Sequence, residues 1–288
     1  MKIAVLGSAG QLGRDLVPRL PGDVVPLTRA DFDLAQPSQI QQVLTALKPD
    51  IVVNCAAYNF VDKAETEPEV AFAVNTFAVR SLAQICQTIG AFLVQFSTDY
   101  VFGLDASRTT PWSETDHPGP VSMYGLSKLA GEDAIRMTCE RHLIIRTCGL
   151  YGVWGSGGKG GNFVQTMLRI AAQGKPIRVV GDQRCTPSFT ADVADATVAL
   201  IQAGVIGTVN VTNAGDCSWF EFASHIFATA GVAVEPTAIT TKEFGAPAKR
   251  PPYSVLALDR LEQLTGKRPR PWRDAVAAYL RERPANRA

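Results

Sequence analysis

The first seventeen residues constrain the fold more than any other stretch. Lys2-Ile-Ala-Val-Leu6 is a short apolar run. Gly7, Gly10 and Gly13 follow it at GxxGxxG spacing, and Leu16 and Val17 open a helical pattern. A buried strand, a glycine turn and a helix in that order form the opening unit of a dinucleotide-binding α/β sheet. Glycine lets the backbone approach a pyrophosphate, and the first amides of the helix have no partner within it.

The rest of the chain continues the alternation. Asp23 to Leu27 reads as a second strand, ending in Thr28-Arg29-Ala30-Asp31. An acid at this strand end binds the adenosine ribose of NAD; Arg29 can instead pair with a 2′-phosphate, or be simply exposed. Asp33-Leu34 precedes a Pro-Ser helix start, with a helix over 39–48 and a third strand over 50–54. The small residues Cys55-Ala56-Ala57 leave room for a cofactor across the strand ends. One long helix is expected over 70–89, containing Asn75, then a strand over 91–96 that delivers Ser97-Thr98-Asp99-Tyr100. A loop over 105–120, a helix from Tyr124 to about 140 and a strand over 143–147 complete a doubly wound parallel sheet. From Gly149 the texture changes. Six glycines between Tyr151 and Gly161, among them Gly157 and Gly158, read as a mobile loop that closes over substrate. Helices over 162–173, 190–203, 218–230 and 271–281 and strands over 177–180 and 208–211 follow. These pieces look too few for an independent core. The expected division is 1–150 for the cofactor domain, with 181–215 able to return to it, and 151–288 mainly for the cap.

Composition narrows the class. With 288 residues and a net charge of +1, the chain can bury a full core, and bulk charge argues against nucleic-acid or membrane-surface binding. The six cysteines form no CxxC pair and no zinc spacing with histidine, so they read as small buried hydrophobes in a reducing compartment. No metal site is expected. No signal peptide and no run of ~20 apolar residues is visible, which gives the expectation of a soluble cytoplasmic protein.

The candidate chemistry lies in Tyr124-Gly-Leu-Ser-Lys128. Four residues apart on a helix, the phenol and the ammonium share one face. A nearby cation is expected to lower a phenol's value from about 10. Such a pair can protonate a carbonyl oxygen while a hydride arrives at its carbon, and Thr98 at a strand end could hydrogen-bond that carbonyl.

Longer strings make the pattern specific. Gly7-Ser-Ala-Gly-Gln-Leu-Gly13, Asn54-Cys-Ala-Ala-Tyr58 with Val61-Asp-Lys-Ala-Glu65, Ser97-Thr-Asp-Tyr-Val-Phe102, Tyr124-Gly-Leu-Ser-Lys-Leu-Ala-Gly-Glu132, Gly161-Asn-Phe-Val-Gln-Thr-Met-Leu168, Asp182-Gln183 with Thr186-Pro187, and Arg250-Pro251 with Ser254 resemble the dTDP-4-dehydrorhamnose reductases. These belong to the extended short-chain dehydrogenase/reductases. The resemblance runs from residue 1 to about 280. It implies a Rossmann-type sheet with a smaller C-terminal α/β substrate-binding cap, and reduction of the 4-keto group of a dTDP-sugar by NADPH, with NADH as the other nicotinamide it could take. It implies Tyr124 as general acid, Lys128 on the nicotinamide ribose and Thr98 on the substrate carbonyl. Cofactor contacts are implied at Gly7, Gly10, Gln11, Leu12, Gly13, Arg29, Asp33, Leu34, Ala56, Ala57, Tyr58 and Asn75, and substrate contacts at Thr98, Asp99, Tyr100, Phe102, Asn162 and Arg250.

Two positions depart from the family pattern. Gly149 stands where members carry a tryptophan near the pocket, and glycine there is expected to widen it. Asp15 matches one carboxylate of a magnesium-bridged dimer, but Ala191 replaces a glutamate, so a monomer or a different homodimer is expected. A reductase or epimerase acting on another nucleotide sugar, and a non-catalytic regulatory subunit, are the alternative readings.

Overall fold

The computed structural model describes residues 1–155 and 160–283. Six strands form one parallel sheet: β1 (Lys2–Leu6), β2 (Asp23–Leu27), β3 (Ile51–Asn54), β4 (Phe92–Thr98), β5 (His142–Thr147) and β10 (Gly207–Asn210). Their spatial order is β10-β5-β4-β3-β1-β2. Period-two alternation along these strands feeds two cores. Ile3, Val5, Val53, Val94 and Ile145 face α1 (Gln11–Leu16), α7 (Thr190–Gln202) and Leu261 of α10 (Asp259–Thr265). Ala4, Leu6, Val52, Leu93 and Ile144 face α2 (Pro37–Leu47), α4 (Ala78–Ile89) and α5 (Met123–Thr138). Helices on both faces explain why the strands read as continuous apolar runs.

β1 pairs with β2 on one side and β3 on the other. The chain therefore leaves β1 in one direction and returns in the other. The carboxyl ends of β1 and β3 flank the crevice where such sheets bind dinucleotides.

The helix expected over 70–89 is interrupted. α3 (Pro68–Phe72) passes through a π turn at Ala73–Phe77 into α4. The cause is close packing on α5. Thr76 Oγ1 donates to Ser127 O at 2.7 Å, and Asn75 Nδ2 donates to Ser127 Oγ at 3.0 Å. A Cβ on Gly131 would lie 2.2 Å from Asn75 O. The widened turn brings backbone to backbone where a regular α-turn would carry its groups past α5.

The C-terminal segments return to the sheet through α7 and β10, and they also build more apolar core than expected. β6 (Leu150–Tyr151) pairs with β9 (Ser188–Phe189), β7 (Arg178–Val180) with β12 (Thr237–Ile239), and β8 (Arg184–Cys185) with β11 (Cys217–Ser218). Tyr151, Val164, Phe189, Phe222, Trp272 and Tyr279 form a separate buried cluster, held by α6 (Phe163–Ala172), α8 (Trp219–Ala230) and α11 (Trp272–Glu282). Aromatic side chains each bury a large area, so few residues suffice for a second core. The short α9 (Thr241–Phe244), like β12 and α10, is too brief for sequence periodicity to register.

Residues 156–159, with Gly157 and Gly158 of the expected closing loop, lie outside the described residues. The flanks are anchored. Gly155 and Gly161 both approach Gln165, where a Cβ would meet Oε1 at 2.6 and 2.7 Å. Among the described residues no helix is long and apolar enough to cross a membrane. All six cysteines are free; five are buried and Cys55 is half-buried.

Candidate active site

α5 begins on a built cap. Ser122 Oγ accepts from Gly125 N at 3.2 Å, and Glu65 Oε1 accepts from Met123 N at 2.9 Å. Two of the amides orphaned at a helix start are thus satisfied. Gly125 then allows the closest approach in the site: a Cβ there would sit 2.2 Å from Tyr100 O. Glycine inside a helix costs about 1 kcal/mol relative to alanine, so a contact this close is the reason for it. The approach sets Tyr124 against the end of β4. Its ring meets Tyr100 edge-on with centroids 5.9 Å apart, and its phenol faces the Thr98 side chain. Gly125→Ala is expected to push α5 off the Thr98–Tyr100 turn and cut turnover about 100-fold, while cofactor binding, followed by fluorescence, falls far less.

One turn on, Lys128 is buried, and its Nζ donates to Phe96 O at 2.7 Å. A further turn places Glu132 behind it. Glu132 takes Arg146 Nε at 3.0 Å and Nη2 at 2.7 Å, and Arg136 Nη2 at 2.7 Å. Burial pulls the Lys128 ammonium down to about 8, with the Glu132 carboxylate acting against it. The expected lowering of the Tyr124 phenol by Lys128 is not what the geometry gives. Burial pushes the phenol up, and the opposing influence is the Thr98 hydrogen bond. The phenol is therefore neutral at physiological pH.

The glycine turn fits a dinucleotide. Gly7 adopts φ +71°, and a Cβ on it would strike Ala56 N at 2.8 Å, so the turn lies directly against the end of β3. Gly10 precedes α1 with no side-chain cap, which leaves the first amides of α1 without a side-chain acceptor. Gly13 packs on the turn itself, where a Cβ would lie 2.6 Å from Gly7 O. Gln11 donates Nε2 to Leu150 O at 3.2 Å, and its buried Oε1 is unpaired. Leu12 and Leu34 place their side chains in the two cores, so only their backbone can face a cofactor. Arg29 is exposed just past β2. The nearby acid, Asp31, is turned inward onto Thr28 N at 2.7 Å. Asp33 Oδ1 accepts from Ala35 N at 3.0 Å. Ala56 is half-buried and Ala57 exposed.

Several expected contact residues are committed elsewhere. Asn75 Oδ1 accepts from Tyr58 N at 3.0 Å, and Nδ2 donates to Tyr58 O at 2.9 Å as well as to Ser127. It positions the Ala56–Tyr58 wall on α5. Phe102 is fully buried, stacked on Trp112 with centroids 4.6 Å apart, so it faces core and not a ligand. Asn162 caps α6 by accepting from Gln165 N at 3.0 Å, and its Nδ2 donates to Gly152 O at 2.8 Å, which spends its amide on structure. Arg250 is held by both oxygens of Asp62 at 3.0 and 2.9 Å and reaches Tyr100. Gly149 does not open a void as expected. A Cβ there would meet the Trp219 ring at 3.3 Å, so an aromatic group from α8 occupies that space.

Asp15 is buried, accepts from Trp154 Nε1 at 3.0 Å and from the Thr190 hydroxyl, and has the Arg19 guanidinium 3.8 Å from Oδ1, so both oxygens are already engaged within the chain. Among the described residues no cluster of three or more metal-ligating side chains is present.

The family described as RmlD substrate binding domain matches residues 1–284. The chain belongs to that family. It is 37% identical to a dTDP-4-dehydrorhamnose reductase of Burkholderia thailandensis, covering 98% of this chain and 99% of that one. It is 41% identical to a probable dTDP-4,6-dihydroxy-2-methyloxan-3-one 4-ketoreductase of Streptomyces antibioticus, covering 96% and 93%. The crystal structure of a Bacillus anthracis dTDP-4-dehydrorhamnose reductase in complex with NADP superposes with a TM-score of 0.92 at 37% identity, covering 98% and 99%. As a member of the RmlD family, the chain shares a Rossmann-type parallel sheet with these relatives.

Residues that periodicity does not reveal are Gly125, Gly131, Glu132 and Trp219. A helical glycine is itself a signal of close approach; the other two carry none, because their partners are distant in sequence.

Proposed function

We propose that this protein reduces the 4-keto group of dTDP-4-dehydro-β-L-rhamnose to dTDP-β-L-rhamnose with NADPH. The observation that carries the reading is the Tyr124 phenol set against the Thr98–Tyr100 turn at the end of β4, with the Lys128 ammonium buried one helical turn away. A bound nicotinamide would supply the hydride. Tyr124, held neutral by burial, gives its proton to the carbonyl oxygen as charge develops there. Thr98 donates a hydrogen bond to the same oxygen. Lys128, fixed on Phe96 O, keeps two protons for the cofactor ribose and holds positive charge beside the site.

Because the Lys128 value lies at about 8, kcat/KM is expected to fall as pH rises through that value and the ammonium is lost. A profile flat from pH 7 to 10 contradicts the assigned role. Arg29 is the side chain placed to meet a 2′-phosphate. Arg29→Ala is expected to weaken NADPH binding about 10-fold or more, at the 1.5–3 kcal/mol scale of a charge-assisted hydrogen bond, and to leave NADH binding unchanged.

In this reading residues 1–150, with the returning 181–215, hold the cofactor, and 151–288 mainly hold the dTDP-sugar. The enzyme works in the cytoplasm as a monomer or a homodimer without a bridging metal. Asp15 is already engaged by Trp154, Thr190 and Arg19, and Ala191 supplies no carboxylate. The deciding experiment follows loss of NADPH absorbance with dTDP-4-dehydrorhamnose and identifies the product. A folded, NADPH-binding protein that leaves this sugar unchanged overturns the reading. The similarity to a ketoreductase named for a different dTDP-sugar then makes another 4-keto sugar the second reading, with the same residues in the same roles.

A further inference from the structure

Arg14 is a surface side chain held more firmly than its exposure requires. An exposed arginine ordinarily keeps its rotamer freedom. Here Nε donates to Ala9 O at 3.1 Å, and the guanidinium carbon lies 5.3 Å from the centroid of the Trp154 ring. Trp154 is itself pinned, since its Nε1 donates to Asp15 Oδ1 at 3.0 Å. One edge of the guanidinium is thus spent on the glycine turn and one face on an indole. Its Nη groups have no acceptor among the described residues.

The Ala9 side of the turn is the adenosine side. Ser8 N and Ser8 Oγ both donate to Leu27 O, at 3.1 and 3.0 Å, which ties this side to the last residue of β2. Gly7, where the turn begins, lies instead on Ala56 after β3. In sheets of this kind the adenosine ribose sits at the end of the second strand. Arg29 stands exposed two residues beyond Leu27. Two guanidinium groups therefore rise from one corner, one from α1 and one from the end of β2. The acids nearby leave both unneutralised. Asp15 is engaged by Trp154, Thr190 and Arg19, and Asp31 Oδ2 accepts from Thr28 N and Oγ1 at 2.7 and 2.8 Å. Among the described residues neither Arg14 nor Arg29 forms an ion pair.

We propose that Arg14 is the second cation on the 2′-phosphate of NADPH, meeting it from α1 while Arg29 meets it from the end of β2. The inference rests on the reading above only for the choice of cofactor. A phosphate monoester carries about −1.5 to −2 charge at pH 7 and three strong acceptor oxygens, more than one guanidinium satisfies. A planar fork that is already fixed loses little freedom when it binds. Ala9 O and the Trp154 ring do the fixing. They are positioning groups and touch no phosphate in this scheme. NADH offers a ribose hydroxyl at the same place, which gives the two cations nothing to neutralise.

Calorimetric titration with NADPH, NADH and adenosine 2′,5′-bisphosphate tests it without any keto sugar. Arg14→Ala is expected to weaken NADPH and the bisphosphate about 10-fold or more, and NADH less than about 2-fold. The double variant Arg14→Ala/Arg29→Ala is expected to bind NADPH no better than NADH. An equal loss for NADPH and NADH puts Arg14 on the pyrophosphate or in the structure of the turn, and overturns the proposal. Unchanged NADPH affinity in Arg14→Ala overturns it too. If Arg14→Ala does not fold, Arg14→Gln, which removes the charge and keeps a polar chain, decides by the same comparison. Wild-type protein that binds both cofactors equally well overturns the proposal and leaves the reduction standing. Wild-type protein that prefers NADPH yet leaves the keto sugar unchanged defeats the proposed function, and the titrations still decide the role of Arg14.

Discussion

Tyr124→Phe is expected to lower kcat about 10²–10⁴-fold with little change in NADPH affinity or melting temperature. The substitution deletes one hydroxyl and keeps the ring, so the edge-on contact with Tyr100 survives. Thr98 keeps Asp99 Oδ1 and Tyr100 N as partners, so the stability cost stays near the ~1 kcal/mol of a single hydrogen bond. What is lost is the proton source. Among the described residues no other phenol or ammonium is placed to replace it: the Lys128 ammonium is engaged by Phe96 O, and Tyr100 is turned toward Arg250. Cofactor binding by fluorescence, thermal melting and single-turnover reduction separate these effects. A variant that turns over within a few-fold of wild type removes Tyr124 from the mechanism.

Glu132→Gln is expected to be the most damaging single change to stability outside the apolar cores. Glu132 and Arg146 are 1% and 2% exposed at the side chain and share two hydrogen bonds, with Lys128 one turn away on the same helix face. Neutralising the carboxylate leaves a buried guanidinium and a buried ammonium without a counter-charge. Breaking such a pair from one side costs about 3–5 kcal/mol, a large part of the ~5–15 kcal/mol that holds a domain folded. The third partner supplies the control. Arg136 is 34% exposed, and Arg136→Ala is expected to cost no more than ~1 kcal/mol. Urea unfolding of the three proteins checks the contrast, and similar midpoints for wild type and Glu132→Gln would sink it. The pH dependence has a definite sign. The arginines hold the Glu132 carboxyl below its ordinary value, so the pair's contribution is complete above the ordinary glutamate range. It is lost as pH falls through the lowered folded value. The gap between wild type and variant therefore persists at pH 5 and narrows only in stronger acid. With Glu132 neutral, nothing opposes the effect of burial on Lys128, so the alkaline limb of activity should also move to lower pH.

Local pattern in the sequence was enough for the parallel sheet, its order of elements, the glycine turn and the Tyr124–Lys128 face. Each of these depends on residues within one or two turns or strands of one another. Strand and helix periods write themselves into neighbouring residues, and i, i+4 spacing needs no partner from elsewhere. Tertiary structure alone decided the rest. Phe102 and Asn162 sit in strings that suggest ligand contact, yet Trp112 and the α6 cap claim them, because which neighbour a loop or cap side chain meets is settled only when the chain around it folds. The phenol of Tyr124 is governed by burial and Thr98 rather than by the lysine four residues on, since desolvation depends on everything packed around a group. Gly149 suggested empty space, but Trp219, seventy residues later, fills it. The Glu132–Arg146 pair, joining α5 to β5, has no local signature, because neither residue's charge announces that it will be buried. Sequence thus determined which elements form and which chemical groups are available. Packing determined which of those groups are free to act, because burial, close approach and pairing are properties of the folded whole.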